Sequence, residues 1–311
     1  MDWESEAPLA PVLRAQLRAR DVVLAALLCA VGCGGDPAPT PPASAPDAPA
    51  RRVVSLVPAL TETVVALGAS ERLVAIGRYD PEVPGRAGLP RLGDALSVSL
   101  ESVAALSPDL ALANGVGLAE RLAPLDPPTR VLLLPTDRVA DVLAATRRLG
   151  ALLECDDAAA RLVRTLEDAL AAARARSAAR AAPSPLVLVV VQRRPIYTAG
   201  AGSYLHELLE AVGARNAAAD LDAAWPVLSE ESVVARAPDV VLDASVGDVD
   251  TAEGRAAVRA AWDVLATVPA VRDGRVLVLG PEAEPLFRAG PRLPEALRLL
   301  EALLYGAETP R

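Results

Sequence analysis

Aromatic residues are scarce in this 311-residue chain, with three tryptophans, four tyrosines and one phenylalanine making up 3% of it. A core so poor in rings is filled by alanine, valine and leucine packed between helices and strands. A ring lying off that pattern therefore carries information. Histidine occurs once, as His206 in "SYLHELLEAVG", where it reads as a satisfied polar residue on a helix. With no second histidine, no paired cysteines and no Gly-x-Ser-x-Gly elbow, neither a zinc site nor a Ser/His/Asp triad can be assembled. The Gly-rich stretch "GAGSYL" (200–205) lacks the P-loop lysine and the dinucleotide glycine spacing. No catalytic constellation, metal site or cofactor is expected, and the weight falls on a binding protein. Basic residues are outnumbered 31 to 40, a net charge of −9 without a long block of either sign. That balance excludes a nucleic-acid partner, whose phosphates need a basic face.

The first fifty residues do not read as fold. Residues 22–32, "VVLAALLCAVG", form an apolar run of eleven. It is too short to anchor in a bilayer core of ~30 Å but suits the centre of a signal peptide. The run ends at Cys33, and "AVGC" resembles the lipobox of bacterial lipoproteins, with Ala30 at the position where leucine is usual. That resemblance implies a signal over 1–33 and acylation of Cys33; a non-lipidated secretory signal is the alternative. Residues 34–50, "GGDPAPTPPASAPDAPA", cannot pack a core and form a flexible tether. Of the three cysteines, Cys29 leaves with the signal and Cys33 carries the lipid, so Cys155 stays as an ordinary thiol.

From residue 52 onward, short apolar runs alternate with helical patterns. "RVVSLV" (52–57), "RLVAIG" (72–77), "DLALA" (109–113), "RVLLL" (130–134), "PLVLVVV" (185–191), "DVVLDA" (239–244) and "RVLVLG" (275–280) read as strands. Helical patterns lie near 59–67, 100–106, 117–123, 138–152, 203–212, 230–236, 253–265 and 291–304. Such alternation predicts an α/β protein of two Rossmann-like lobes with mostly parallel sheets. The lobes are expected at 51–153 and 183–311, joined by an Ala- and Arg-rich helix over 154–182. About 26 helical residues make a rod of ~39 Å, which either connects the lobes or lies on the surface of one.

One phrase occurs twice. "LESVAALSPDLALA" (100–113) returns as "EESVVARAPDVVLD" (230–243), with seven of thirteen positions identical from Glu101 and Glu231 at an offset of 130. Each copy puts a glutamate in the first turn of a short helix that proline ends before a strand begins. On spacing alone, both carboxylates stabilise their helix N-termini. Four of the aromatics, Tyr79, Tyr197, Trp225 and Phe287, fall in Pro-, Gly- or Arg-rich segments that follow strands or join elements. Segments leaving the carboxyl ends of strands line ligand crevices in α/β lobes, so these rings and Arg288 read either as site residues or as plugs of their own loops.

Over 52–305 the chain resembles the helical-backbone (class III) periplasmic substrate-binding proteins of ABC importers, which carry cobalamin, haem or ferric siderophores. The residues that carry the likeness are "RVVSLVPALTETVVALGASERLVAIG" (52–77), "LESVAALSPDLALA", the long helix, "WPVLSEESVVARAPDVVLDA" (225–244) and "RAGPRLPEALRLLEALL" (288–304). The resemblance implies a monomeric, lipid-anchored periplasmic or extracytoplasmic protein that takes its cargo in a cleft between two lobes. Its partner would be a dimeric permease with cytoplasmic ATPase subunits, each lobe offering one glutamate, Glu101 or Glu231, to arginines of one permease subunit. The likeness is strongest to the cobalamin binders, which implies that Tyr79, Tyr197 and Trp225 meet the corrin and its nucleotide loop and that Arg288 meets its polar edge. Ala95 and Asn114 stand where such proteins carry tryptophan. Haem, ligated by Tyr79, and a ferric siderophore, met by Arg288, are the other cargoes the family allows.

Overall fold

The computed structural model describes residues 48–306 apart from 94–96, 126–128, 246–248 and 250. The signal segment, Cys33, most of the tether and Ala95 lie outside the described residues. By contact density the chain divides into two compact units, one holding the chain up to Pro135 with Arg147–Ala159, the other Thr136–Thr146 with the chain from Ala160 onward.

In the first unit, β1 (Val53–Ser55), β2 (Leu73–Ile76), β3 (Leu110–Ala113) and β4 (Arg130–Leu133) form a wholly parallel sheet in the order β2-β1-β3-β4. Parallel neighbours need crossovers, and helices supply them. Helix α1 (Pro58–Ala66) follows β1, α2 (Leu100–Ala104) precedes β3, and α3 (Val116–Leu122) leads towards β4. Proline at the first position of α1 fixes φ where the missing N–H is no loss. The central strands β1 and β3 are buried along their whole length, as a sheet covered on both faces requires.

Two helices follow, α4 (Val139–Leu152) and α5 (Asp156–Ala179). The division between units falls inside both, rather than at the ends of one connecting helix over 154–182. Their tight link is possible because Gly150 faces Ala159 with no room for a side chain between them, and the Cys155 N–H reaches the Gly150 carbonyl at 2.7 Å. Helix α5 is 24 residues, ~36 Å, long. It packs Leu166, Leu170 and Ala173 into the second unit's core, a stripe at helical spacing.

The second unit is built on β5 (Leu186–Gln192), β6 (Ile196–Thr198), α6 (Tyr204–Ala211), β7 (Arg215–Asn216), β8 (Val227–Leu228) and α7 (Glu230–Arg236). It continues with β9 (Val240–Asp243), α8 (Ala252–Ala260), α9 (Pro269–Arg272), β10 (Val276–Val278) and α10 (Leu293–Tyr305). The sheet order is β10-β9-β5-β6-β8, with β7 alongside β5. β10, β9, β5 and β7 run parallel, whereas β6 is antiparallel to both β5 and β8. Alternate residues separate two cores. Val187, Val189, Val240 and Leu242 face α5, α6 and α10, while Leu188, Val190 and Val241 face Val233 of α7 and Trp262. The expected 253–265 helix breaks at Ala261 because Trp262 turns fully inward, where its indole N–H donates to Asp243 Oδ2 at 2.7 Å. The chain has no lysine, and the ion pairs among the described residues have arginine, or in the case of Glu210 His206, as their basic partner. Among the described residues no helix is long and apolar enough to cross a membrane.

Candidate functional site

The repeated phrase folds the same way twice. Ser99 caps α2 by accepting the Ser102 N–H at 3.2 Å, and Ser229 caps α7 by accepting the Ser232 N–H at 3.2 Å. Val103 and Val233 are wholly buried beneath the two helices. Both phrases then turn through a left-handed residue, Ser107 at φ 45° and Ala237 at φ 44°, immediately before proline. Next comes an aspartate that seizes the start of the neighbouring strand. Asp109 accepts the N–H groups of Arg51 (2.8 Å) and Arg52 (3.1 Å), and Asp239 that of Leu186 (2.8 Å). Glu101 and Glu231 stand exposed in the first turns of their helices. The Ser229 hydroxyl and the residue's own main-chain N–H hold the Glu231 carboxyl below the usual glutamate range, so it stays charged in mild acid.

Tyr79 sits in the loop after β2 and is 64% exposed. The loop beneath it is held firmly. One nitrogen of Arg91 donates to the carbonyls of Gly77 (3.2 Å), Arg78 (3.2 Å) and Asp80 (2.8 Å), and the other pairs with Glu82 at 2.7 Å. A side chain at Gly77 would come within 2.5 Å of the Asp80 carboxylate, which would have to move. Asn114, at the end of β3, is exposed.

In the second unit a set of residues gathers around Tyr204. The Trp225 ring lies edge-on to Tyr204 with centroids 6.2 Å apart and planes at 69°. The Tyr204 hydroxyl donates to the Leu286 carbonyl at 2.8 Å, tying α6 to the 3-10 turn Pro281–Phe287 that follows β10. Trp225 and Phe287 are half-buried against the same apolar cluster. Burial pushes the Tyr204 phenol far above its ordinary range, so it is a fixed neutral donor. Arg288 follows directly. Its guanidinium pairs with Glu284, whose second oxygen takes Arg292 at 3.1 Å, and Arg292 in turn meets Glu295 at 3.0 Å. Cations and carboxylates thus alternate along this run of the chain.

Trp225 is also held by Asp137, which accepts its indole N–H at 3.3 Å and whose carboxyl is pushed up by burial. Behind it, Gly200 and Gly202 lie flat against the 221–224 backbone, where Cβ atoms would meet Leu221 O at 2.7 Å and Ala224 N at 2.9 Å. The Gly-rich "GAGSYL" is therefore explained by close backbone approach and by the Ser203 cap of α6. His206 lies between Asn216 at 3.4 Å and Glu210 at 3.5 Å, a satisfied polar residue.

Tyr197 is placed differently from expectation. It is not on a surface loop but in β6, between β5 and β8, and only 4% exposed. Its segment is too short to show a strand period, so the Pro- and Arg-rich flank hid a buried position. Tyr204, Asp137 and Glu284 were not singled out from the sequence. Tyr204 resembles any apolar helix residue, and Asp137 any helix-start aspartate; the spacing of Glu284 four residues before Arg288 was a usable signal.

The sequence model of the periplasmic binding protein family matches residues 53–283. An uncharacterized ABC transporter substrate-binding lipoprotein, YvrC of Bacillus subtilis (strain 168), is 26% identical over 262 residues, 82% of this chain and 80% of that one. The vitamin B12-binding protein of Pectobacterium carotovorum is 26% identical over 247 residues, 78% of this chain and 84% of the relative. Among solved structures, the periplasmic heme-binding protein BhuT in complex with two hemes has a TM-score of 0.64 and 31% identity, covering 81% of this chain and 97% of that one. The two-unit α/β architecture and the matched segment agree, and the chain belongs to the periplasmic binding protein family, whose members bind their substrates rather than transform them.

Proposed function

We propose that this chain is the substrate-binding lipoprotein of an ABC importer and that its cargo is cobalamin or a related corrinoid. It is anchored outside the cytoplasm through Cys33 and delivers its ligand as a monomer to a dimeric permease with cytoplasmic ATPase subunits. Glu101 and Glu231 meet arginines on the two permease subunits, a role that sets orientation more than affinity.

The observation that carries the corrinoid reading is Trp225, half-buried edge-on to Tyr204, whose hydroxyl holds the turn that leads to Arg288. Trp225 offers an apolar ring, and Arg288 is already paired with Glu284. A corrinoid has a broad apolar face rimmed by neutral amides, which suits an apolar ring and a cation already paired; an anionic chelate would have to displace Glu284 first. Tyr79, exposed on its Arg91-held loop, is the ring that the first unit offers on this reading. Replacing Trp225 by alanine weakens cyanocobalamin binding by about 1–3 kcal/mol in an equilibrium titration. Unchanged affinity would remove Trp225 from the site.

Haem is the second reading, favoured by the exposure of Tyr79, whose phenolate can ligate ferric iron, and by the likeness to BhuT. On that reading a hemin-loaded sample shows a Soret band that Tyr79→Phe abolishes.

A further inference from the structure

Asp137 belongs to neither ring system, yet it touches both. Its side chain accepts the Trp225 indole N–H at 3.3 Å, and its main-chain carbonyl accepts the N–H of Tyr204, the first residue of α6. Trp225 itself lies on an irregular segment just before β8, where no helix or strand fixes its rotamer. Two contacts orient the indole, the Tyr204 edge and the Asp137 carboxylate, and an N–H bond to a carboxylate is the stronger kind of hydrogen bond. Because the Tyr204 backbone is held by the Asp137 carbonyl, truncating the Asp137 side chain leaves α6 anchored and frees only the indole.

We infer that Asp137 is the positioning residue for Trp225, fixing which face of the indole is offered to cargo. The inference deepens the corrinoid reading and rests on it only for the ligand-binding measurements below. The carboxylate is also titratable, and it is held above the ordinary aspartate value. Burial raises it, as does Asp141 on the same segment, while the Trp225 bond and Arg138 lower it; the Tyr204 phenol faces it from α6. As pH falls, Asp137 takes up its proton earlier than an ordinary aspartate, and the neutral acid accepts the indole N–H more weakly. Glu207, also raised by burial on α6, keeps its own titration in every Asp137 variant and so cancels in the comparison.

The test uses the chain with Asp137→Ala and with Asp137→Asn, read in two ways. Without ligand, acrylamide quenching of tryptophan emission reports how freely Trp225 is exposed. Trp262, the other tryptophan among the described residues, is subtracted with a Trp225→Phe control. With ligand, cyanocobalamin is titrated between pH ~4 and 7. Asp137→Ala raises the quenching of Trp225 and weakens cyanocobalamin binding about tenfold, equivalent to about 1.4 kcal/mol. Asp137→Asn, which still accepts a hydrogen bond, restores affinity to within about threefold and flattens the acid side of the pH profile. Quenching identical in Asp137→Ala and the unaltered chain overturns the inference. If the unaltered chain does not bind cyanocobalamin, the corrinoid reading fails and the quenching result alone decides the role of Asp137.

Discussion

The two copies of the repeated phrase agree until the ends of their strands and then part. From Ser99 and Ser229 to Leu112 and Leu242 they share the cap, the buried valine, the left-handed residue before proline and the aspartate that grips the next strand. One step further along the repeat, Ala113 in β3 corresponds to Asp243 in β9. Asp243 is fully buried and accepts the Trp262 indole N–H at 2.7 Å and the Ser245 N–H at 2.8 Å, with Arg193 lying 4.3 Å over the Trp262 ring. Burial lowers the Arg193 guanidinium, and Asp243 opposes that shift. What repeats is the helix start bearing an exposed glutamate and the strand anchor beneath it. What differs begins at the carboxyl end of the strand, where each unit grows its own loops. Repetition therefore fits the proposal that both units use this surface alike, and the divergence beyond it is confined to each unit's own loops.

The largest expected effect lies in the shared part. Reversing both carboxylates, Glu101→Arg with Glu231→Arg, abolishes uptake in cells dependent on the cognate importer while ligand binding by the purified chain is kept. Uptake at the unaltered level would break the claim that the repeat is a docking device. Next come the unshared strand ends. Asp243→Ala orphans a buried indole N–H and costs about 3 kcal/mol of unfolding free energy in denaturant titration, a loss with no counterpart at Ala113. The strand anchors rank the two units. Asp109 holds two main-chain N–H groups and Asp239 one, so Asp109→Ala costs about 2 kcal/mol and Asp239→Ala about 1 kcal/mol in the same measurement. The smallest effect is a gain: Ala237→Gly relieves a left-handed residue ahead of proline and raises stability by about 0.5 kcal/mol. An equal change at Ser107 would show that the two turns are energetically alike.

Much of this was legible in the residues. Parallel strands announce themselves as apolar runs between helical patterns, and β1 to β5, β9 and β10 lie within the runs that suggested them, β5 extending one residue past its run to Gln192. The strands β6, β7 and β8 have two or three residues each, too few for any period, and are held by pairing that sequence does not display. The helix break at Ala261 was equally hidden, because it depends on a partner, Asp243, far along the chain. The scarcity of rings drew attention to Trp225, half-buried beside Tyr204, but also to Tyr197, which the sheet encloses. Rarity marks a residue as notable without telling inside from outside. Asp137 escaped notice because its meaning lies in a contact with Trp225, 88 positions away.

The proposal that the cargo is a corrinoid is tested most directly by titrating the purified chain with cyanocobalamin, hemin and a ferric hydroxamate siderophore in parallel, followed by absorbance. Saturable binding of cyanocobalamin at one site per chain, with the other two failing to compete, is the predicted result. Saturation by hemin or the siderophore alone would contradict it, leaving the fold and the paired glutamates in place and assigning the loops around Tyr79 and Trp225 to a different cargo.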